Sequence, residues 1–328
     1  MKKMTIGENE SGQRLDKYLK KLLPDAPPGI LYKMLRKKNI TLNGRKASGN
    51  EKTSSGDTVE IYMADETASK FGFKETRPEK ELWPGTYKGK DPAVVYEDHH
   101  VLILDKPAGL LSQPDISGEP SMVEFVNDYL LRTGALSEEE LLTFHPSVVN
   151  RLDKNTTGLI AAGKTLQGLQ ELSEVLRERT VKKYYLCVVC GSVEGEKCVN
   201  GFLHKNKKTN TVTVHSVQSE GDIPFRMNYE ALEKNGKYTL VRVELVTGRA
   251  HQIRAYFASE GHPAAGDPKY GDPEVNRHLK ELYGVRYQLL HCAEMDFGET
   301  KGALSGLSGK RICSKEPEVF RRVLYEQG

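Results

Sequence analysis

Residues 148–165 dictate most about the fold this chain can adopt. They run Val148-Val149-Asn150-Arg151-Leu152-Asp153-Lys154-Asn155-Thr156-Thr157-Gly158-Leu159-Ile160-Ala161-Ala162-Gly163-Lys164-Thr165. A β-branched pair leads into a polar loop. Gly158 then opens an apolar run, Leu159 to Ala162, with the length and bounds of a buried strand. Thr165 is placed to cap a helix in which Leu166, Leu169, Leu172, Val175 and Leu176 recur at helical spacing. A loop is thereby fixed between regular elements, and it carries one carboxylate, Asp153, between two cations, Arg151 and Lys154. Flanking positive charge favours an ionised carboxylate, which suits a nucleophile or base. The same local pattern also fits a surface ion pair in a turn.

The chain has 328 residues, enough for one large domain or two to three smaller ones. With 38% hydrophobic and 28% charged residues it can bury a core and does not read as disordered. No stretch approaches the roughly 18 apolar residues of a membrane span. The basic N-terminus lacks an apolar signal region. Five cysteines in a chain this long make no disulfide framework. A cytoplasmic protein without membrane contact is expected. Cys187 and Cys190 form a C-x-x-C pair, but they fall on a strand, where positions three apart face opposite sides. They read as buried strand cysteines, and no metal is expected.

Charge is unevenly spread. Residues 1–64 hold 13 Lys and Arg against 7 Asp and Glu, a net +6, which leaves −3 for the remainder of a chain of net +3. The positive end is a candidate for a polyanion, or simply a solvated basic face. Residues 12–64 read as one unit. Gln13 to Leu23 is a helix with Leu15, Leu19, Leu22 and Leu23 at helical spacing, ended by Pro24 and Pro27-Pro28. Gly29 to Lys38 is a second helix. Its Ile30, Leu31, Met34 and Leu35 share one side, and Lys33, Arg36 and Lys37 cluster on another. Ile40-Thr41-Leu42 meets the hairpin signal Asn43-Gly44, followed by Arg45 and Lys46. Residues 65–92 have the composition of a linker. Trp83 within it either docks the linker or stacks a base.

Residues 93–328 read as a second domain. Strands are expected at Val94 to Asp98, Val101 to Asp105, Val181 to Gly191, Thr211 to Val214, Met227 to Leu232 and Tyr238 to Val246. Ser121 to Leu131 reads as a helix, and another opens after Thr247-Gly248-Arg249-Ala250-His251-Gln252-Ile253-Arg254. Helices around a mixed, mainly antiparallel sheet make an α+β domain. The tetrapeptide Arg-Leu-Asp-Lys occurs twice, at 14–17 and 151–154. At the start of a helix, Asp16 simply favours the helix dipole, so the repeat reads as coincidence.

Four separated stretches carry a resemblance. Tyr96-Glu97-Asp98 with Lys106-Pro107-Ala108-Gly109-Leu110, the Arg151 to Leu159 stretch, Lys183-Tyr184-Tyr185-Leu186, and Thr247 to Arg254 with Gly266-Asp267-Pro268 and Tyr270-Gly271 resemble, in order and spacing, the motifs of RluA-type pseudouridine synthases. One departure is Asn150, where that family usually has His before Arg-Leu-Asp. The two-helix-plus-hairpin unit resembles the S4-type (alpha-L) RNA-binding module, known ahead of such domains.

The resemblance implies that uridine loses its N1–C1′ bond, turns its base and rejoins through C5. The reaction is without redox or phosphate transfer, so no cofactor and no metal is expected. It implies Asp153 as the catalytic carboxylate, Arg254 as its cationic partner, Tyr185 as the ring supporting the base, and Arg151 as a residue that helps hold the flipped-out position. It implies RNA contact through Lys33, Arg36, Lys37, Arg45 and Lys46. Arg249 and His251 lie in the motif with no role assigned. The expected partner is RNA, first large-subunit ribosomal RNA and second transfer RNA, acted on by a monomer. A non-catalytic RNA-binding or ribosome-assembly factor is the alternative. A glycosidic hydrolase would need a second acid facing Asp153.

Overall fold

The apolar run Leu159 to Ala162 lies in the interior of an eleven-stranded sheet. The computed structural model describes residues 1–73, 87, 89, 91–138, 140–206 and 208–325. Trp83 and most of the expected linker lie outside the described residues.

A small N-terminal unit comes first. It comprises β1 (Lys2–Thr5), α1 (Leu15–Leu22), α2 (Pro28–Arg36), β2 (Ile40–Leu42), β3 (Arg45–Lys46), β4 (Thr58–Ile61) and α3 (Asp65–Lys70). The strands form a sheet in the order β1-β4-β2-β3. Leu15, Tyr18, Leu19 and Leu22 of α1 and Leu31, Met34 and Leu35 of α2 pack on Ile40, Val59 and Ile61 in one core. Asn43 and Gly44 take φ of 51° and 69°, the positive pair that a tight hairpin turn requires. Pro28, read as a terminator, starts α2 instead, since its missing N–H costs nothing in the first helical turn. The expected bounds 12 and 64 are too narrow. Lys2 to Thr5 pair with Thr58 to Ile61, and Phe71 joins the core behind α3. A four-residue basic strand has too little apolar character to announce itself.

The remainder contains β5 (Ala93–Glu97), β6 (Val101–Lys106), α4 (Met122–Arg132), β7 (Ser147–Val148), β8 (Thr157–Gly163), α5 (Leu166–Arg177), β9 (Val181–Cys190), β10 (Glu196–Asn206), β11 (Thr211–His215), β12 (Ile223–Lys234), β13 (Tyr238–Glu244), α6 (Gln252–Ser259), α7 (Pro273–Tyr283), β14 (Leu290–Phe297), β15 (Arg311–Cys313) and α8 (Glu318–Tyr325). The main order is β11-β10-β12-β13-β9-β14-β8-β6-β5, with β7 on β8 and β15 on β14. Only β8 and β14 pair in parallel among the described strands. The fold is the expected α+β arrangement on a mainly antiparallel sheet.

β8 is buried on both faces. Leu159 and Ala161 point into a core with Leu172 of α5 and Ile253 and Phe257 of α6. Ile160 and Ala162 point into another with Phe125 and Leu130 of α4. Truncating the fully buried Leu172 to Ala would cost on the order of 2–5 kcal/mol. The Thr165 hydroxyl accepts from Gly168 N at 3.0 Å, the expected cap. Ser121 and Glu124 form a reciprocal capping box on α4. Gly158 has φ of 104°, and a Cβ there would sit 2.2 Å from the carbonyl oxygen of Cys292. Only glycine lets β8 come this close to β14. Cys187 packs in the core that holds Leu159, and Cys190 against the one beneath α7 and α8, on opposite faces as their spacing requires.

Candidate active site

The Asp153 loop, between β7 and β8, is clamped on both sides. Ser112 Oγ accepts from Leu152 N at 2.9 Å and donates to Leu152 O at 2.7 Å. Lys106, fully buried at the end of β6, donates from Nζ to the carbonyls of Pro107, Leu110 and Lys154 at 2.9, 2.7 and 2.8 Å. Gly109 N donates to the Lys154 carbonyl as well, at 3.0 Å, and Thr156 N closes the turn onto Asp153 O at 3.0 Å. Burial pushes the Lys106 ammonium down to about 7, while the charge of Asp153 acts the other way. Three carbonyl acceptors match the three protons of the ammonium form. With its neighbours' backbone held, Asp153 projects a partly exposed carboxylate.

Arg254, in the first turn of α6, spans two carboxylates. Its Nη1 donates to Asp153 Oδ2 at 2.6 Å. Its Nε and Nη2 donate to Asp267 Oδ2 and Oδ1 at 2.7 and 2.9 Å. Burial pushes Asp267 upward, but hydrogen bonding and charge from Arg254, with the N–H groups of Lys269 and Tyr270, outweigh it and hold the group below the ordinary carboxylate range. Arg254 and Asp153, which the resemblance set as partners, are thus in contact. Asp267 is the partner that sequence reasoning left without a role. His251 Nε2 lies 4.0 Å from the same Asp153 oxygen.

Asp153, His251 and Arg254 line a cleft of about 740 Å³. Tyr185, on β9 and nearly buried, faces it, and burial pushes its phenol well above the ordinary range. Arg151 stands exposed on the rim. Six lining residues are cationic (Arg151, Lys154, Lys205, Arg249, Arg254 and Lys269), against the carboxylates Asp115 and Asp153. That balance suits a polyanion. It leaves a hydrolase without a second buried acid, because Asp115 is exposed and bonded to Ser117, and Asp267 is locked behind Arg254. Lys33, Arg36, Lys37, Arg45 and Lys46 are all exposed, and none lines this cleft. Arg36 and Lys46 instead share a shallow groove with Tyr32 on the N-terminal unit.

Asn150 has a structural task. Its Oδ1 accepts from Ala161 N at 2.8 Å and its Nδ2 donates to Leu159 O at 3.2 Å, so the amide extends the pairing of β7 on β8. Lys106 carried one signal in the sequence. It follows Leu102 and Leu104 at period two, on a face that is apolar and buried.

Residues 100–259 match the family model described as RNA pseudouridylate synthase. The ribosomal large subunit pseudouridine synthase C of Vibrio cholerae is 32% identical over 302 residues, covering 89% of this chain and 87% of that protein. The chain belongs to the RNA pseudouridylate synthase family. It is an RNA pseudouridine synthase, an isomerase. The ribosomal large subunit pseudouridine synthase D of Nitrosomonas europaea is 31% identical, covering 88% of this chain and 80% of that one. The fold agrees with the solved structure of human RNA pseudouridylate synthase domain containing 4. That structure has a TM-score of 0.55 and 19% identity, over 70% of this chain and 90% of that chain.

Proposed function

We propose that this synthase converts uridine to pseudouridine in large-subunit ribosomal RNA, with Asp153 as the reacting carboxylate. The observation that carries this is the Asp153–Arg254 pair at 2.6 Å on the floor of a cation-rich cleft. Isomerisation breaks N1–C1′ and forms C5–C1′, and the proton lost from C5 is balanced by one gained at N1. An ionised carboxylate can serve such a reaction as nucleophile or base. Arg254 donates to Asp153 Oδ2 and fixes the orientation of the carboxylate. Tyr185 supports the displaced base from the other wall, and Arg151 occupies the rim where a flipped nucleotide leaves its stack.

The ribosomal substrate is supported by the names of the relatives in Vibrio cholerae and Nitrosomonas europaea. The N-terminal unit supports it too, because it presents Lys33, Arg36, Lys37, Arg45 and Lys46 to solvent as an alpha-L module would to phosphates. The deciding experiment maps pseudouridine in total RNA from a deletion strain and its parent. Loss of specific sites in large-subunit ribosomal RNA is expected. Losses confined to transfer RNA would redirect the substrate assignment.

A further inference from the structure

His251 precedes α6 with φ of 53°, in the left-handed region that residues other than glycine seldom adopt. Such strain tends to be kept where a side chain has to be aimed. Its Nδ1 lies 2.8 Å from the Tyr270 hydroxyl. The same hydroxyl accepts the backbone N–H of Val212 at 2.8 Å. A phenol has one proton to give. With its oxygen already accepting from Val212, that proton is used by pointing at His251 Nδ1. Nδ1 is then an acceptor, and the ring proton sits on Nε2.

Nε2 is the atom turned toward Asp153 Oδ2, at 4.0 Å. Arg254 reaches the same oxygen at 2.6 Å. We infer that His251 is a positioning residue for Asp153: its Nε2–H joins Arg254 in fixing Oδ2, so that Oδ1 is the oxygen presented to the uridine. This rests on Asp153 being the reacting carboxylate. The gap of 4.0 Å closes as the substrate seats, since such contacts often tighten only in the complex. Burial keeps the ring neutral. Asp153 and Asp267 favour the charged form, Arg254 and Lys269 oppose it, and the net shift is downward. A neutral Nε2–H donor can hold a carboxylate without adding a second full cation that would blunt it.

The test compares His251→Gln, His251→Asn, His251→Gly and Asp153→Asn in the full chain, measuring single-turnover rate and RNA affinity. Gln places an amide N–H near the position of Nε2, whereas Asn reaches only the position of Nδ1. A glutamine variant within about tenfold of wild type is expected, with Asn and Gly down by about a hundredfold or more, the scale on which misplacing a reacting group acts. RNA affinity should change little in all three. Backbone strain predicts the opposite order, because Gly and Asn fit a positive φ best. A rate for His251→Asn or His251→Gly equal to or above that of His251→Gln would therefore overturn the inference. Nitrogen-15 spectra of histidine-labelled protein read the tautomer directly, with the His251 signal assigned by its loss in the Gln variant. Protonation at Nε2 alone is expected, and protonation at Nδ1 would overturn the inference. An active Asp153→Asn would instead sink the underlying reading of Asp153, whatever the order of the His251 variants.

Discussion

Asp267, with no exposed side-chain surface, grips Arg254 through both carboxylate oxygens, at 2.7 and 2.9 Å. The guanidinium is therefore oriented before any substrate arrives, and its third nitrogen is aimed at Asp153. Asp267→Asn leaves a buried cation short of a partner and should cost about 3 kcal/mol of stability. The pH dependence follows from the lowered position of Asp267. Its contribution is fully present above the unfolded carboxylate value, near 4, and is lost as pH falls through the lower folded value. The difference in melting temperature between wild type and variant should be flat from about pH 8 to 5 and narrow below about pH 4. A difference that does not narrow in acid would contradict the assignment.

The fork of Arg254 matters as well as its charge. A lysine at 254 keeps the cation but is a point donor that cannot span two carboxylates. Arg254→Lys is expected to lower kcat by at least tenfold, about 1.4 kcal/mol, with RNA affinity nearly unchanged. Steady-state kinetics check this, and an unaltered kcat would leave Asp267 with only a structural role.

Tyr185 should act through its ring. Tyr185→Phe keeps the flat face, and kcat is expected within about fivefold of wild type. Tyr185→Leu keeps apolar volume in the wall but offers no face to stack, and a loss of about a hundredfold is expected, or some 2.7 kcal/mol. Equal rates for the two variants would show that the position only packs.

Much of this arrangement was legible in the chain, for local reasons. The buried strand β8, the Thr165 cap and the loop around Asp153 are written in consecutive residues, and short-range rules reach them. The pairing of Asp153 with Arg254 spans 101 positions and came only through matching motifs. The task of Lys106 was hidden because its partner carbonyl, at Lys154, lies 48 positions away. β14 escaped notice because Leu290-His291-Cys292-Ala293-Glu294-Met295-Asp296-Phe297 mixes polar and apolar residues without a clean period. Its neighbours β8 and β9, and not its own sequence, make it a strand.

The basic N-terminal unit should carry much of the salt-sensitive affinity for RNA. Replacing Lys33, Arg36, Lys37, Arg45 and Lys46 by Ser should flatten the dependence of log K on log salt by roughly 0.7–0.9 for each phosphate that is no longer neutralised. Affinity measured at several salt concentrations reads the slope. An unchanged slope would show that these five side chains form a solvated face.

The two Arg-Leu-Asp-Lys segments supply a matched control for the central claim. Asp16 is held by Arg14 at 2.7 Å and by the Tyr32 hydroxyl at 2.7 Å, on the N-terminal unit. Asp153 faces the cleft and Arg254. The measurement is the single-turnover conversion of uridine in large-subunit ribosomal RNA by wild type, Asp153→Asn and Asp16→Asn. Asp153→Asn should still bind RNA and form no detectable pseudouridine, and Asp16→Asn should turn over at close to the wild-type rate. Retention of more than about a tenth of wild-type kcat by Asp153→Asn, a loss of under ~1.4 kcal/mol, would contradict the account.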